Sequence, residues 1–184
     1  MLTREEALGL LQKYLHNDKL INHSLAVEAI LQAMAKFLHE DEELWGMTGL
    51  LHDLDYEYTQ EDPDKHTLMT AQMLEGLLPN EAIEAIKAHN YQHTNQLPIQ
   101  ALDRALLAAD AVSGLIIAAA LVMPNRTLAE VTTQTLHKKF KDSSFASSIS
   151  RKRIELCEDT GFDLERFFTL SLTALQGIHD KLGL

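Results

Sequence analysis

The sequence predicts an all-α fold, and three observations carry that expectation. Apolar residues recur at helical spacing along most of the chain. The segments they form open on capping residues and stop before Pro or Gly. No run shows the sustained apolar–polar alternation of a half-buried strand. Thr3-Arg-Glu-Glu6 is a capping box, in which the Glu6 backbone N–H donates to the Thr3 hydroxyl and the Glu6 side chain reaches back. Leu8, Leu11 and Leu15 continue that helix on one face. A second helix is expected from about Lys19 to His39, with Leu25, Ile30, Met34 and Phe37 facing inward. Asp41 caps a third that ends near Leu54, and Asp55 to Lys65, with Asp62-Pro63-Asp64, reads as a loop. Helices follow over 66–77, over 80–90 behind Pro79-Asn80, and over 99–122 behind Pro98, the last stopped by Pro124-Asn125. Thr127-Leu-Ala-Glu130 is a second capping box. The serine-rich segment 142–150 holds the next break, Gly161 ends a helix that begins near Ser147 or earlier, and Asp163 caps a final helix to about Leu182.

Composition narrows the function classes. At 184 residues the chain is most simply one domain, large enough to bury a core without staples. A formal charge of −11, from 27 acidic and 16 basic residues, argues against a nucleic-acid polymer or an anionic membrane surface as partner. It leaves room for a small phosphorylated substrate, because bound divalent cations reverse the local field. Cys157 is the only cysteine, so it forms no intramolecular disulfide and is expected as a small helix residue, not a nucleophile. The apolar run Ala105–Met123 is broken by Asp110 and Ser113 and reads as a buried core helix. The opening residues Met-Leu-Thr-Arg-Glu-Glu lack a cationic region before an apolar stretch, so a cytoplasmic location is the expectation.

The chemistry-bearing feature is His52-Asp53, at the end of the apolar run Trp45-Gly-Met-Thr-Gly-Leu-Leu. An ionised carboxylate buried there is costly unless it is paired or bound to a metal. His23, in Ile21-Asn-His-Ser-Leu, and Asp110, in Leu107-Ala-Ala-Asp-Ala, are likewise polar residues set into apolar helices. Together the four make a nitrogen and oxygen donor set suited to a divalent cation.

The ordered set His23, His52-Asp53, Asp110, with the doublet in Gly49-Leu-Leu-His-Asp-Leu, resembles the HD-domain superfamily over about residues 20 to 120. The resemblance implies a single-domain HD-type helical bundle, with helices over about 127–184 packing on a metal-binding core. It also implies a metal-dependent phosphohydrolase acting on a phosphomonoester or phosphodiester, with a nucleotide foremost, through a metal-activated water. His23, His52, Asp53 and Asp110 would hold the first ion. Dinuclear members add two histidines in the order matched here by His66 and His89, with Asp53 bridging to the second ion. One or two ions are therefore expected, with Fe, Mn, Mg, Zn and Ni all compatible with the donors. Asp53 is accordingly a catalytic candidate. The continuation departs from the His-Asp-Ile-Gly-Lys of many HD phosphodiesterases: here it is His52-Asp-Leu-Asp-Tyr-Glu, with Tyr56 in the lysine position. Asp55 is then a candidate to orient a ligand or a water, set against an exposed loop carboxylate.

Charge building on phosphoryl oxygens needs cationic complement. Lys65, Lys87 and Arg104 are candidates near the motif, although spacing turns none of them inward and a solvated position is the plainer reading of each. Lys138-Lys139-Phe140-Lys141 and Arg151-Lys152-Arg153 reverse the charge locally in an acidic chain. Lys139 and Arg153 there are candidates for a phosphate clamp, against two solvated helix faces. His93 is expected as a polar loop residue at the site mouth. The ligand list leaves a di-iron HD-type oxygenase and a non-catalytic metal-stabilised binding module open as alternatives, and it leaves homo-oligomer formation open.

Overall fold

Two long helices, α2 (Asp18–Leu38) and α8 (Ala101–Leu121), cross through the centre, and the other elements pack around them. The computed structural model describes residues 2–184, and among these no strand occurs. The remaining helices are α1 (Arg4–Tyr14), α3 (Glu42–Leu51), α4 (Tyr56–Thr59), α5 (Leu68–Leu74), α6 (Asn80–His89), α7 (Tyr91–Thr94), α9 (Thr133–Lys141), α10 (Arg151–Glu155), α11 (Leu164–Gln176) and α12 (His179–Leu182). Asn17, Asp41, Thr132, Ser150 and Asp163 cap their helices through side-chain acceptors, satisfying backbone N–H groups that lack partners within the helix. The Thr3–Glu6 capping box is present as expected.

α3 packs against α2 more extensively than any other pair of helices meets. Glycine makes that approach possible. A Cβ at Gly49 would lie 3.0 Å from the Glu28 backbone nitrogen and 3.0 Å from the Val27 carbonyl carbon. One turn earlier, a Cβ at Gly46 would strike the Gln32 side chain at 2.6 Å. Beneath this contact Glu28 is buried and takes a bidentate ion pair from Arg4 of α1, at 2.6 and 2.8 Å. α8 is the apolar core helix expected. By length and composition it is the one described helix able to cross a membrane, but it is largely covered by α2, α6, α9, α10 and α11.

Several boundaries differ from the sequence expectation. α3 stops at Leu51, and His52 to Asp55 form turns that lead into α4, inside the expected loop. Thr127 makes no capping bond, because Glu130 instead accepts from the Asn125 backbone and side chain, and only a 3-10 turn forms at Leu128–Glu130. The helix ahead of Gly161 starts at Arg151 and shortens into a second 3-10 turn at Glu158–Thr160. The final helix breaks at Gly177-Ile178 into α11 and α12. Phe37 is 45% exposed instead of facing inward, resting on Phe162 and under Arg166 at the surface.

The Gly49 contact is testable. Gly49→Ala places a methyl against backbone that has no freedom to retreat, so it lowers stability by about 1–3 kcal/mol, read as a lower midpoint of thermal or urea unfolding. A midpoint matching the parent would show that α2 and α3 are free to separate.

Candidate metal centre

Each donor reaches the centre from a different place in the fold. His23 projects from α2, His52 is the C-cap of α3, and Asp53 follows in the turn. His66 sits in the turn before α5, His89 ends α6, and Asp110 lies midway along α8. All six expected ligand residues are therefore brought to one place. Asp53 is the hub. Its Oδ1 lies 3.4 Å from His52 Nε2, 3.5 Å from His66 Nε2 and 3.7 Å from His89 Nε2, while its Oδ2 is 3.9 Å from His23 Nε2. Asp110 closes the far side, with Oδ1 3.0 Å from His23 Nε2 and Oδ2 4.0 Å from His89 Nε2.

Hydrogen bonds behind the rings fix which nitrogen faces inward. His52 Nδ1 donates to the Gly49 carbonyl at 2.8 Å, and His66 Nδ1 donates to Asp55 at 2.8 Å. The Ser113 hydroxyl gives its one hydrogen to the Asp110 carbonyl, so His23 Nδ1 donates to it at 3.2 Å. In their neutral forms these three imidazoles turn bare Nε2 lone pairs toward carboxylate oxygens. His52 Nε2 and Asp53 Oδ1 are moreover buried with no hydrogen-bond partner. Lone pairs face lone pairs, an arrangement that calls for a cation. The donor chemistry fits a divalent ion, since donors bound at about 2.0–2.2 Å to one ion sit roughly 3–3.5 Å apart. Two subsets lie close enough to share an ion: His23, His52 and Asp110, and His52, Asp53 and His89.

Charge distribution follows the same geometry. Burial disfavours the Asp53 carboxylate, but His52, His89 and His66 outweigh it and hold the carboxyl well below its ordinary range. Burial likewise opposes charge on Asp110, and the surrounding histidines hold it low as well. Burial disfavours a proton on His52, yet Asp53 beside it and Asp110 beyond raise it to about 9. His66 is raised as Asp55 and Asp53 overcome burial. Burial pushes His89 down to about 4, with Asp110 and Asp53 only partly opposing.

Asp55, the orienting candidate, does not line the cavity at this centre and so does not stand among reacting groups; it sits behind the His66 ring. Its carboxylate is fully buried behind His66, accepting from His66 Nδ1 and from the Thr70 backbone N–H at 2.9 Å, and it is not an exposed loop group either. It positions a ligand. The turn carrying His66 is further pinned by Asn90, whose side-chain amide donates to the carbonyls of Pro63 and His66. Thr67, next to His66, takes a left-handed φ of 70°, a strained state for a β-branched residue that this pinning sustains. Asn90 and Thr70 were not singled out from the sequence. Ser113 was visible there only as a polar break three residues after Asp110.

Of the five expected substrate cations, one reaches the site. Arg153 NH1 stands 3.6 Å from Asp110 Oδ2. Lys65 pairs with Asp62 at the surface, and Lys87 pairs with Glu84. Arg104 turns to the Pro98 carbonyl and Asp159, and Lys139 lies over the Phe145 ring. His93 belongs to α7 and pairs with Asp64, so it is not a loop residue at the mouth. Cys157 is buried, and burial pushes its thiol up to about 12, in keeping with an inert packing role. The donors other than the fully buried His52, with Leu20, Tyr56, Asn90 and Arg153, line a cavity of about 380 Å³.

Residues 20–115 match the HD domain family. No curated protein and no solved structure matches the chain.

Two outcomes follow for metal binding. Ser113→Ala frees the His23 ring and weakens metal affinity about 10- to 100-fold while the circular dichroism spectrum stays that of the parent; unchanged affinity would remove Ser113 from the support of His23. Below about 9 His52 holds a proton that an ion must displace. Metal affinity measured by titration therefore falls as pH is lowered from there, about tenfold per pH unit for each proton released. A pH-independent affinity would contradict this.

Proposed function

The chain belongs to the HD-domain family, and from that premise we propose that it is a metal-dependent phosphohydrolase that cleaves a phosphomonoester or phosphodiester of a small substrate, a nucleotide foremost, with water as the nucleophile. The observation that carries this reading is the convergence of bare imidazole lone pairs on Asp53, with His52 Nε2 and Asp53 Oδ1 buried and unpartnered. A divalent ion bound by these residues supplies Lewis acidity toward a phosphoryl oxygen and lowers the pKa of water toward neutrality.

The chain's own groups do the rest. Asp53 and Asp110 supply the fixed negative charge that holds the ions, and the hydrogen-bonded rings keep their donors from rotating away. Arg153 offers a forked guanidinium at the cavity wall, matched to non-bridging phosphoryl oxygens. Its hydrogens are not spent elsewhere: among the described residues its side chain makes no hydrogen bond, and its one ion pair is the longer one to Asp110. Tyr56 stands edge-on to His66 with ring centroids 5.5 Å apart and narrows the rim. It takes the place where related phosphodiesterases keep a lysine, so Arg153 from a distant part of the chain is the cation available to the phosphate. This cation also favours the hydrolase over a di-iron oxygenase, whose substrate need carry no phosphate.

Protein purified without oxygen should carry divalent metal, and added Mn²⁺ should drive phosphate release from a nucleotide panel equally under nitrogen and air. Asp53→Asn should abolish both metal binding and release. Arg153→Ala should retain metal and lose about 10²- to 10³-fold in kcat/KM, as expected for removing a donor to developing charge, whereas Lys139→Ala should match the parent. Oxygen uptake without phosphate release would assign the oxygenase class instead. No bound metal and no activation by Mn²⁺, Fe²⁺ or Mg²⁺ would remove both readings.

A further inference from the structure

A second cavity of about 700 Å³ opens beside the metal centre and shares His23, Asp110 and Arg153 with it. That volume is ordinary for a small-molecule site, where about 300–1,000 Å³ is typical. Its far wall comes from the segment 148–150 and from α10, beyond the residues that match the HD domain. The wall is built to hold its shape. The Arg151 guanidinium donates to several backbone carbonyls between Lys139 and Ile149, stapling that turn-rich segment into one body. Ile149 then leans on α8 at Gly114, where a Cβ would lie 3.1 Å from the isoleucine Cδ1. The Arg153 backbone N–H donates to the Ser150 hydroxyl, tying the segment to α10.

The lining is sorted by chemistry. Lys152 and Arg153 bring two cations, Ser148 and Ser150 bring hydroxyls, and the only carboxylate is Asp110, shared with the metal cluster. The rest of the lining is mainly apolar, with the Tyr91 ring 5.9 Å from the Arg153 guanidinium carbon. In a chain of net charge −11, a cavity with two cations and no acid of its own selects an anion. Arg153 lines both cavities, so a molecule filling both passes its guanidinium.

We propose that the outer cavity is the leaving-group subsite, and that it takes phosphate esters whose leaving group carries a second phosphate. This rests on the phosphohydrolase reading and narrows its substrate class to bisphosphorylated compounds. The scissile phosphoryl group occupies the metal cavity, the organic moiety lies along Tyr91 and Ile149, and the second phosphate meets Lys152 and the serine hydroxyls. Hydrolysis forms a bond from the water oxygen to phosphorus and breaks the ester P–O bond. The leaving oxygen takes a proton, so orthophosphate and an alcohol that keeps its second phosphate are released.

The test uses the Mn²⁺-loaded full chain with four probes: phenyl phosphate, adenosine monophosphate, an adenosine bisphosphate with one phosphate on each side of the ribose, and fructose bisphosphate. Binding by calorimetry and phosphate release are both measured. At least one bisphosphate should bind, and turn over by kcat/KM, about tenfold or more better than either monophosphate, as for one added charge-assisted contact. The adenosine and fructose arms decide whether the organic moiety is a nucleoside or a sugar. Lys152→Glu and Ser148→Trp, both at exposed positions, should remove that preference, whereas Lys65→Ala, whose ammonium pairs with Asp62, should keep it. Turnover of monophosphates with no bisphosphate preference, or a preference that survives both variants, overturns the subsite and leaves the hydrolase standing. If no probe is hydrolysed, the hydrolase reading falls, and the calorimetric preference with its loss in Lys152→Glu still decides whether the cavity recognises a second phosphate.

Discussion

The structure turns on one constraint: the Asp53 carboxylate is buried, and it faces imidazole nitrogens that have no hydrogen to give it while the rings are neutral. A carboxylate in that position would ordinarily be answered by N–H donors. Here the hydrogens of His52 and His66 are spent on the outer side of the rings, on the Gly49 carbonyl and on Asp55. His23 spends its hydrogen in the same way on Ser113. Two arrangements relieve the conflict, a set of extra protons or a set of metal ions. The protonated arrangement gathers cationic rings at close range, with His52 and His89 centroids 4.9 Å apart, and His89 is too strongly desolvated to join it. The ionic arrangement satisfies every facing lone pair at once, which is why the cluster reads as a metal site and not as a buried salt-bridge network.

That geometry is purchased by backbone packing some distance away. α3 delivers His52 to the centre only because Gly46 and Gly49 let it lie against α2, which carries His23. The same Gly49 supplies the carbonyl that sets the His52 tautomer, so one residue serves both the packing and the chemistry. α6 delivers His89, and its cap Asn90 reaches across to hold the turn that carries His66. The His66 turn has little helical structure of its own, and the strained Thr67 within it is held by these contacts and by α5. Rigidity at the candidate donors thus comes from hydrogen bonds both to helix groups, Gly49 and Ser113, and to the less regular segments around Asp55 and Asn90.

The sequence made some of this legible and hid the rest for physical reasons. The all-α class could be read because apolar spacing and capping residues agree locally, as at Thr3–Glu6, Asp41 and Asp163. The second capping box misled because Glu130 found a stronger local use with Asn125, a choice that spacing does not reveal. His23, His52, Asp53 and Asp110 stood out as polar groups in apolar surroundings, His66 and His89 only through the order of dinuclear family members, and the structure places all six within one cluster. Asp55 was a candidate only through the continuation of the doublet, and it lies behind His66 because a turn after Leu51 changes the direction that a continued helix would have given it. The cations were the least legible group. A lysine or arginine at a helix surface finds its nearest carboxylate or ring, as Lys65, Lys87 and Lys139 do, and only the tertiary path decides which one faces the site.

Arg153 is the exception, and its position joins the two halves of the chain. The metal donors all lie within the residues that match the HD domain, whereas Arg153 comes from α10, outside them. It stands 3.6 Å from Asp110, close enough to feel that charge and too far to be consumed by a hydrogen bond. A divalent ion held by Asp110 would take up that carboxylate's charge and leave the Arg153 guanidinium free for an anion. Under the proposed hydrolase reading a phosphoryl group would be drawn by both cations, so each would raise the affinity of the site for the ligand that relieves the other. The net negative charge elsewhere on the chain sharpens this, because the paired cation field is confined to the one place where a phosphate would be cleaved.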